Sequence, residues 1–266
     1  MRYYRLQSGY TKDSSYMLST HSALEPEIKS TIINQLLEKG QLNKNELIIN
    51  EFTVGDFSRR VDLALVNSNN LFAFEVKSEA DSLTRLEVQV DKYLEYFDKV
   101  TVVVAPKHTQ KVLHQTPLHV AVWEFSDGVI SVKRKGKLQK TISKQKFIDM
   151  MTACELLKLT KKFGLNMDTT RRCFLEEALM VVPRYKLREE AIGAIQARYK
   201  VRNDKFLDEV MERKATPNDL KLLKITKDIV THETTAIKSK IESFIEVLNG
   251  IQIGAIQVNN TNQQWY

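Results

Sequence analysis

The sequence predicts a mixed α/β chain, in which a sheet-bearing amino-terminal part precedes an all-helical carboxy-terminal part. Three observations carry this. Apolar residues alternate with period two between about residues 46 and 134, and recur at three and four elsewhere. The run Val100 to Ala105 is almost wholly apolar, as in strands covered on both faces of a sheet. Only 9 Gly and 5 Pro occur in 266 residues, too few for an all-β chain of many tight turns. With 42% hydrophobic and 27% charged residues, a disordered chain is excluded.

The first helix is predicted over Pro26 to Glu38. Proline suits a first helical position, because its missing N–H would have no partner there. Ile28, Ile32 and Leu36 form one stripe, flanked by Ile33 and Leu37, and Gly40 is a natural stop. Three strands follow: Glu46 to Val54, Arg60 to Val66 and Leu71 to Lys77. The turn cluster at residues 67–70 makes the last two a hairpin. Ser82 to Phe97 reads as a helix capped by Asp81 or Ser82. The buried strand Val100 to Ala105 comes next, and Lys107-His108 reads as a solvated loop. Leu118 to Phe125 is another strand, and Asp127-Gly128 turns into Val129 to Lys133. The core order is therefore α-β-β-β-α-β with a trailing hairpin. From Ser143 onward the spacing predicts four to six helices, with 259–266 frayed. Two domains are expected, 1–142 and 143–266.

Cys154 and Cys173 belong to no C-x-x-C pair, so neither a disulfide framework nor a structural zinc site is expected. A reducing cytoplasm fits. The first 20 residues lack a signal-peptide pattern. The longest uncharged stretch, Val247 to Tyr266, is too rich in Asn, Gln and Thr for hydrocarbon, so no membrane association is expected. The five histidines show no ligand spacing.

Asp62, Glu75 and Lys77 stand out, because the strands holding them are otherwise nearly all apolar. A two-residue turn would set Asp62 opposite Glu75, and a four-residue loop would set it opposite Lys77. A three-residue loop would separate them. Two carboxylates beside an ammonium suit phosphodiester chemistry. Carboxylates hold a hard cation such as Mg²⁺, and a lysine can serve the attacking water or the charged phosphate. The plainer alternative is a structural ion pair on a solvated sheet face.

Asp62, followed after a hairpin by Glu75-Val76-Lys77, resembles the signature of the PD-(D/E)XK, or restriction-endonuclease-like, nucleases. The resemblance covers about residues 21–126. Gln89 and Tyr93 resemble the Gln-x-x-x-Tyr motif of RecB-like members, with Arg85 one turn before them. Glu27 is similar to the helix carboxylate that completes the metal site in many members, and Glu25 competes for that place. The wider run from Arg60 to Pro106 resembles bacterial and phage-borne nuclease-like proteins with helical carboxy-terminal halves.

The resemblance implies a restriction-endonuclease-like core with a mixed central sheet. It implies Mg²⁺, with Mn²⁺ as substitute, held by Asp62, Glu75 and Glu27. Lys77 would act on the water and phosphate, supported by Gln89 and Tyr93. DNA is the implied substrate, in phage defence or in recombination and repair. The alternative is a non-catalytic nucleic-acid-binding or assembly subunit that keeps the nuclease fold.

The net charge of +7 is diffuse except between Lys133 and Lys146, where seven basic residues meet no acid. Lys133, Arg134, Lys135 and Lys137, together with Arg85, are the candidates for nucleic-acid contact. A solvated inter-domain linker is the other reading of that run. The helical half is expected to bind nucleic acid, a protein partner or a second copy.

Overall fold

A computed structural model describes residues 24–224, except 56–58, 68–69 and 166. In chain order the elements are α1 (Glu25–Glu38), β1 (Leu47–Val54), β2 (Arg59–Val66), β3 (Leu71–Lys77), α2 (Leu86–Leu94), β4 (Lys99–Val104), α3 (Pro106–Gln115), β5 (Ala121–Ser126), β6 (Val129–Arg134), α4 (Lys144–Asp149), α5 (Ala153–Lys162), α6 (Arg172–Leu179) and α7 (Arg184–Val210). A short 3-10 helix, Asp219–Leu223, closes the described part. The helices expected beyond residue 224, and the frayed 259–266, lie outside the described residues.

The strands form one six-stranded sheet in sequence order. The pairs β1–β2, β2–β3 and β5–β6 are antiparallel, while β3–β4 and β4–β5 are parallel. The chain is thus mixed α/β with a mixed sheet. Val66 pairs with Leu71 and Leu63 with Phe74, which is the register of the two-residue turn. The Asn67 N–H closes that hairpin on the Asn70 carbonyl at 3.1 Å.

Two expected elements change. Asp81 does not cap the helix: its carboxylate accepts from the N–H (2.8 Å) and hydroxyl (2.6 Å) of Ser78. The chain therefore turns first, and α2 starts at Leu86 rather than Ser82. Residues 106–115, beginning at Lys107-His108's predicted loop, form helix α3 instead. Pro106 opens it, and Thr109 and Val112 are its buried side.

Both sheet faces are covered. Beneath one lie α2, α4, α5, α6 and the first half of α7, through Leu86, Val90, Phe147, Leu156, Leu175 and Ile195. Beneath the other lie α1, the end of α7 and the 3-10 helix, through Ile28, Ile32, Phe206, Val210 and Leu220. Each fully buried Ile, Leu or Phe contributes roughly 1.5–3 kcal/mol before entropy is charged against it. The helix α7 passes the exposed edge of β1. Its Asn203 accepts the Ile48 N–H at 2.8 Å and donates to the Glu46 carbonyl at 3.0 Å, satisfying edge groups that would otherwise invite another strand. The helices after residue 142 thus share both cores with the sheet.

Candidate active site

The site forms where β2 and β3 part. Strict alternation would put Val61 on the same face as Leu63. Instead Phe52 and Val61 join the α2 core, while Ile48, Leu63 and Leu65 join the α1 core. The break falls beside Glu51, a non-glycine residue at φ 62°. Asp62 sits at this break, and its Oδ2 accepts the Val76 N–H at 2.7 Å.

Glu75 and Lys77 share one face of β3 by the period of a strand. The Lys77 Nζ donates to Glu75 Oε1 at 2.6 Å. From α2, Gln89 Nε2 donates to the same oxygen at 2.7 Å, and the Tyr93 hydroxyl lies 2.9 Å from Glu75 Oε2. That hydroxyl also lies 2.9 Å from the Arg60 carbonyl, so one proton serves two acceptors. Spacing of four puts Gln89 and Tyr93 on one helical face, as predicted. Glu75 is nearly sealed, its side chain 2% exposed. Arg85 stays exposed at the entrance to α2.

Burial, and then the charge of Glu75, push the Asp62 carboxyl up to about 7; Lys29 and the Val76 N–H pull it the other way. Burial, and then Glu75, also raise the Tyr93 phenol, so it stays a protonated donor.

Lys29 is the residue the sequence reading passed over. It is buried, donates to Asn50 Oδ1 at 3.2 Å, pairs with Glu25 at 2.5 Å and lies 3.8 Å from Asp62 Oδ1. Its signal was present, since positions 29, 32, 33 and 36 form one helical stripe. Glu27 is two residues away, about 200° around the helix, and is exposed. The structure does not bring it to Asp62 and Glu75; Glu25, one turn before Lys29, is the helix carboxylate tied to the cluster. Glu51 turns to Arg60 (3.1 Å) and Lys224 (3.7 Å).

The basic run ends β6 and continues as the irregular segment leading to α4, and it is partly tied down. Lys133 pairs with Glu124 at 2.9 Å. Arg134 caps the Val120 and Leu113 carbonyls at 2.7 and 3.0 Å and also bonds the Thr116 hydroxyl, which removes it from phosphate contact. Beyond it the backbone is tied down by Lys137 N–H to His119 (2.8 Å) and Gln139 N–H to Asp98 (2.7 Å). Lys135 and Lys137 remain exposed.

The donor set suits a hard divalent cation. Glu75 Oε1 is saturated by two donors, but Oε2 and Asp62 Oδ1 keep acceptor capacity. Two carboxylates are what Mg²⁺ commonly takes from a protein, the rest being water and phosphate oxygens. Among the described residues, no group of three or more His, Cys, Asp and Glu gathers as a ligand set.

Fold and site together define a mixed α/β protein with a buried Asp–Glu–Lys cluster at a strand junction. The family described as bacteriophage P4 protein cII matches residues 19–224, and the chain belongs to it. Protein cII of Enterobacteria phage P4 is 35% identical over 209 residues, which cover 76% of this chain and 78% of that protein. The solved SPO1766 protein of unknown function from Silicibacter pomeroyi aligns over 53% of this chain and 94% of its own, at 16% identity and a TM-score of 0.35. Among the described residues, no helix is long and apolar enough to cross a membrane.

Proposed function

We propose that the protein is a Mg²⁺-dependent nuclease that hydrolyses DNA phosphodiester bonds on a restriction-endonuclease-like core. The observation that supports this most is Glu75, buried and fixed by Lys77, Gln89 and Tyr93, beside an Asp62 whose charge is raised in energy by burial and then by that same carboxylate. Burial and the neighbouring Glu75 make an ionised Asp62 costly, a cost that a divalent cation relieves.

A bound Mg²⁺ would be held by Asp62 and Glu75, and would supply Lewis acidity toward the phosphate and a more acidic water. The protein's own groups do the rest. Gln89 and Tyr93 fix the rotamer of Glu75. The Lys77 ammonium stands at the end of β3 to orient the water or meet negative charge developing on phosphate. Lys29 holds Asp62 from the α1 side. DNA is chosen over RNA by resemblance.

The test is cleavage of plasmid and linear DNA with Mg²⁺, with Mn²⁺ and with chelator. Cleavage should need the metal and fall at least 100-fold in Asp62→Asn and Lys77→Ala. If both variants cleave like the parent, the assignment fails. If the parent binds DNA but neither binds Mg²⁺ by calorimetry nor cleaves, the chain is a binding subunit that keeps the site for structure.

A further inference from the structure

A second site lies on α7, away from the carboxylates. A cavity of about 670 Å³ opens there, its lining including Lys140, Arg184, Tyr185, Arg188 and Gly193. Its distance from the cluster follows from the strand. Arg188 grips Asp98 with bonds of 3.0 and 2.6 Å, and Asp98 accepts the N–H of Leu71, the first residue of β3. Glu75 and Lys77 are four and six residues further along, roughly 13–20 Å away.

The chemistry of the lining is specific. Arg188, half-buried, forms the floor, with its guanidinium 5.6 Å from the Phe147 ring centre. Lys140 and Arg184 stand exposed at the rim, the Arg184 guanidinium 3.2 Å from the Lys140 carbonyl. Tyr185 is 67% exposed, with the Lys186 Nζ 5.8 Å from its ring centre. Glu189 is the one acid of the lining. Gly193 sits in the middle of a 27-residue helix, where glycine costs roughly 1 kcal/mol against alanine. Among the described residues a Cβ there would meet nothing within 4 Å, so their packing does not call for glycine.

We propose that this cleft binds a single nucleic-acid strand. Phosphates lie on Lys140 and Arg184, a base stacks on Tyr185, and the strand passes close over Gly193. Rim cations with an exposed aromatic beside them are the elements of sequence-tolerant single-strand binding. The cavity is of the size that holds one or two nucleotides. The proposal does not rest on the nuclease reading, and its test works without cleavage.

The test uses the full chain in chelator, with fluorescence anisotropy of a labelled 20-nucleotide oligo(dT) at several salt concentrations. The parent should bind the strand more tightly than dTMP or a 20-base-pair duplex. Lys140→Ala/Arg184→Ala should weaken binding at least 10-fold and lower the slope of log K against log salt by between one and two. Tyr185→Ala should weaken it 5-fold or more, whereas Tyr185→Phe stays near parent. Gly193→Ala should melt no lower than the parent yet bind more weakly. Near-ultraviolet circular dichroism confirms that each variant is folded. The proposal is overturned if the parent binds no strand, if folded rim variants bind like the parent, or if dTMP binds as tightly as the strand.

Discussion

At the scale of single residues, Asp62 carries the clearest consequence. Its carboxyl titrates near 7 in the folded protein and near 3.8 ordinarily. Between those values the native state holds a proton that the unfolded state has released. Stability therefore falls as pH rises from about 4 to about 7, then levels off. Asp62→Asn removes the effect. It should match the parent's stability near pH 4 and exceed it at pH 8 by up to about 4 kcal/mol, read from denaturant midpoints. Equal stability gains at both pH values would mean that Asp62 is not held at a raised value. Lys29→Met should act in the opposite direction. It removes the cation that pulls Asp62 down, so the titration should move above 7 and the loss at pH 8 should exceed that at pH 5. Asp62, Glu75 and Lys77 are legible together, because charge inside an apolar hairpin is conspicuous; Gln89 and Tyr93 are legible only through the resemblance, their spacing of four then placing them on one helical face. Lys29 is not, because a stripe is read by its apolar members and a lysine among them carries no signal of its own. Glu27 was chosen by resemblance alone, and the helical turn places it on the wrong side.

At the scale of elements, the legible features were those set by local chemistry. The Asn-rich cluster marks the hairpin but leaves its register open, which the pairing of Val66 with Leu71 settles, and Asp127-Gly128, both at positive φ (52° and 75°), makes the β5–β6 turn. What could not be read was tertiary. The start of α2 moved because Asp81 bonds back to Ser78, and nothing in the local pattern separates that turn from a cap. In the basic run most lysine charges do face solvent, while its backbone is bound to residues just before β4 and β5, which no charge pattern announces. Gly136, within that run, has φ 64°, and a Cβ there would lie 2.5 Å from the Ala121 nitrogen and 2.7 Å from the His119 oxygen. Backbone cannot yield as a side chain can. Gly136→Ala should therefore destabilise by roughly 2–4 kcal/mol, and Arg134→Ala, which strands two carbonyls, by roughly 1–3 kcal/mol. Lys135→Ala and Lys137→Ala should stay within about 0.5 kcal/mol. Chemical denaturation of the four variants checks the pattern. A harmless Gly136→Ala would show that the run is not pinned.

At the scale of the whole molecule, the question is whether the sheet half stands alone. The change of periodicity near residue 143 suggests a boundary, and each half has an ordinary domain size. The packing argues otherwise. Tyr199 stacks edge-on against Phe52 at 6.0 Å, Arg188 neutralises the buried Asp98, and Asn203 serves the edge of β1. Phe206, Leu207 and Val210 complete the core that α1 begins. A chain cut after residue 142 would uncover both sheet faces and leave Asp98 buried without its partner, a combination costing more than the roughly 5–15 kcal/mol that stabilises a whole domain. Residues 1–142 should therefore lack a cooperative melting transition and a near-ultraviolet circular dichroism signal, while residues 1–224 keep both. Cooperative unfolding of the 1–142 fragment would restore the two-domain picture. Its failure would instead make the helices a structural part of the candidate active site, because α2, which carries Gln89 and Tyr93, is pressed onto the sheet by the same core that α7 closes.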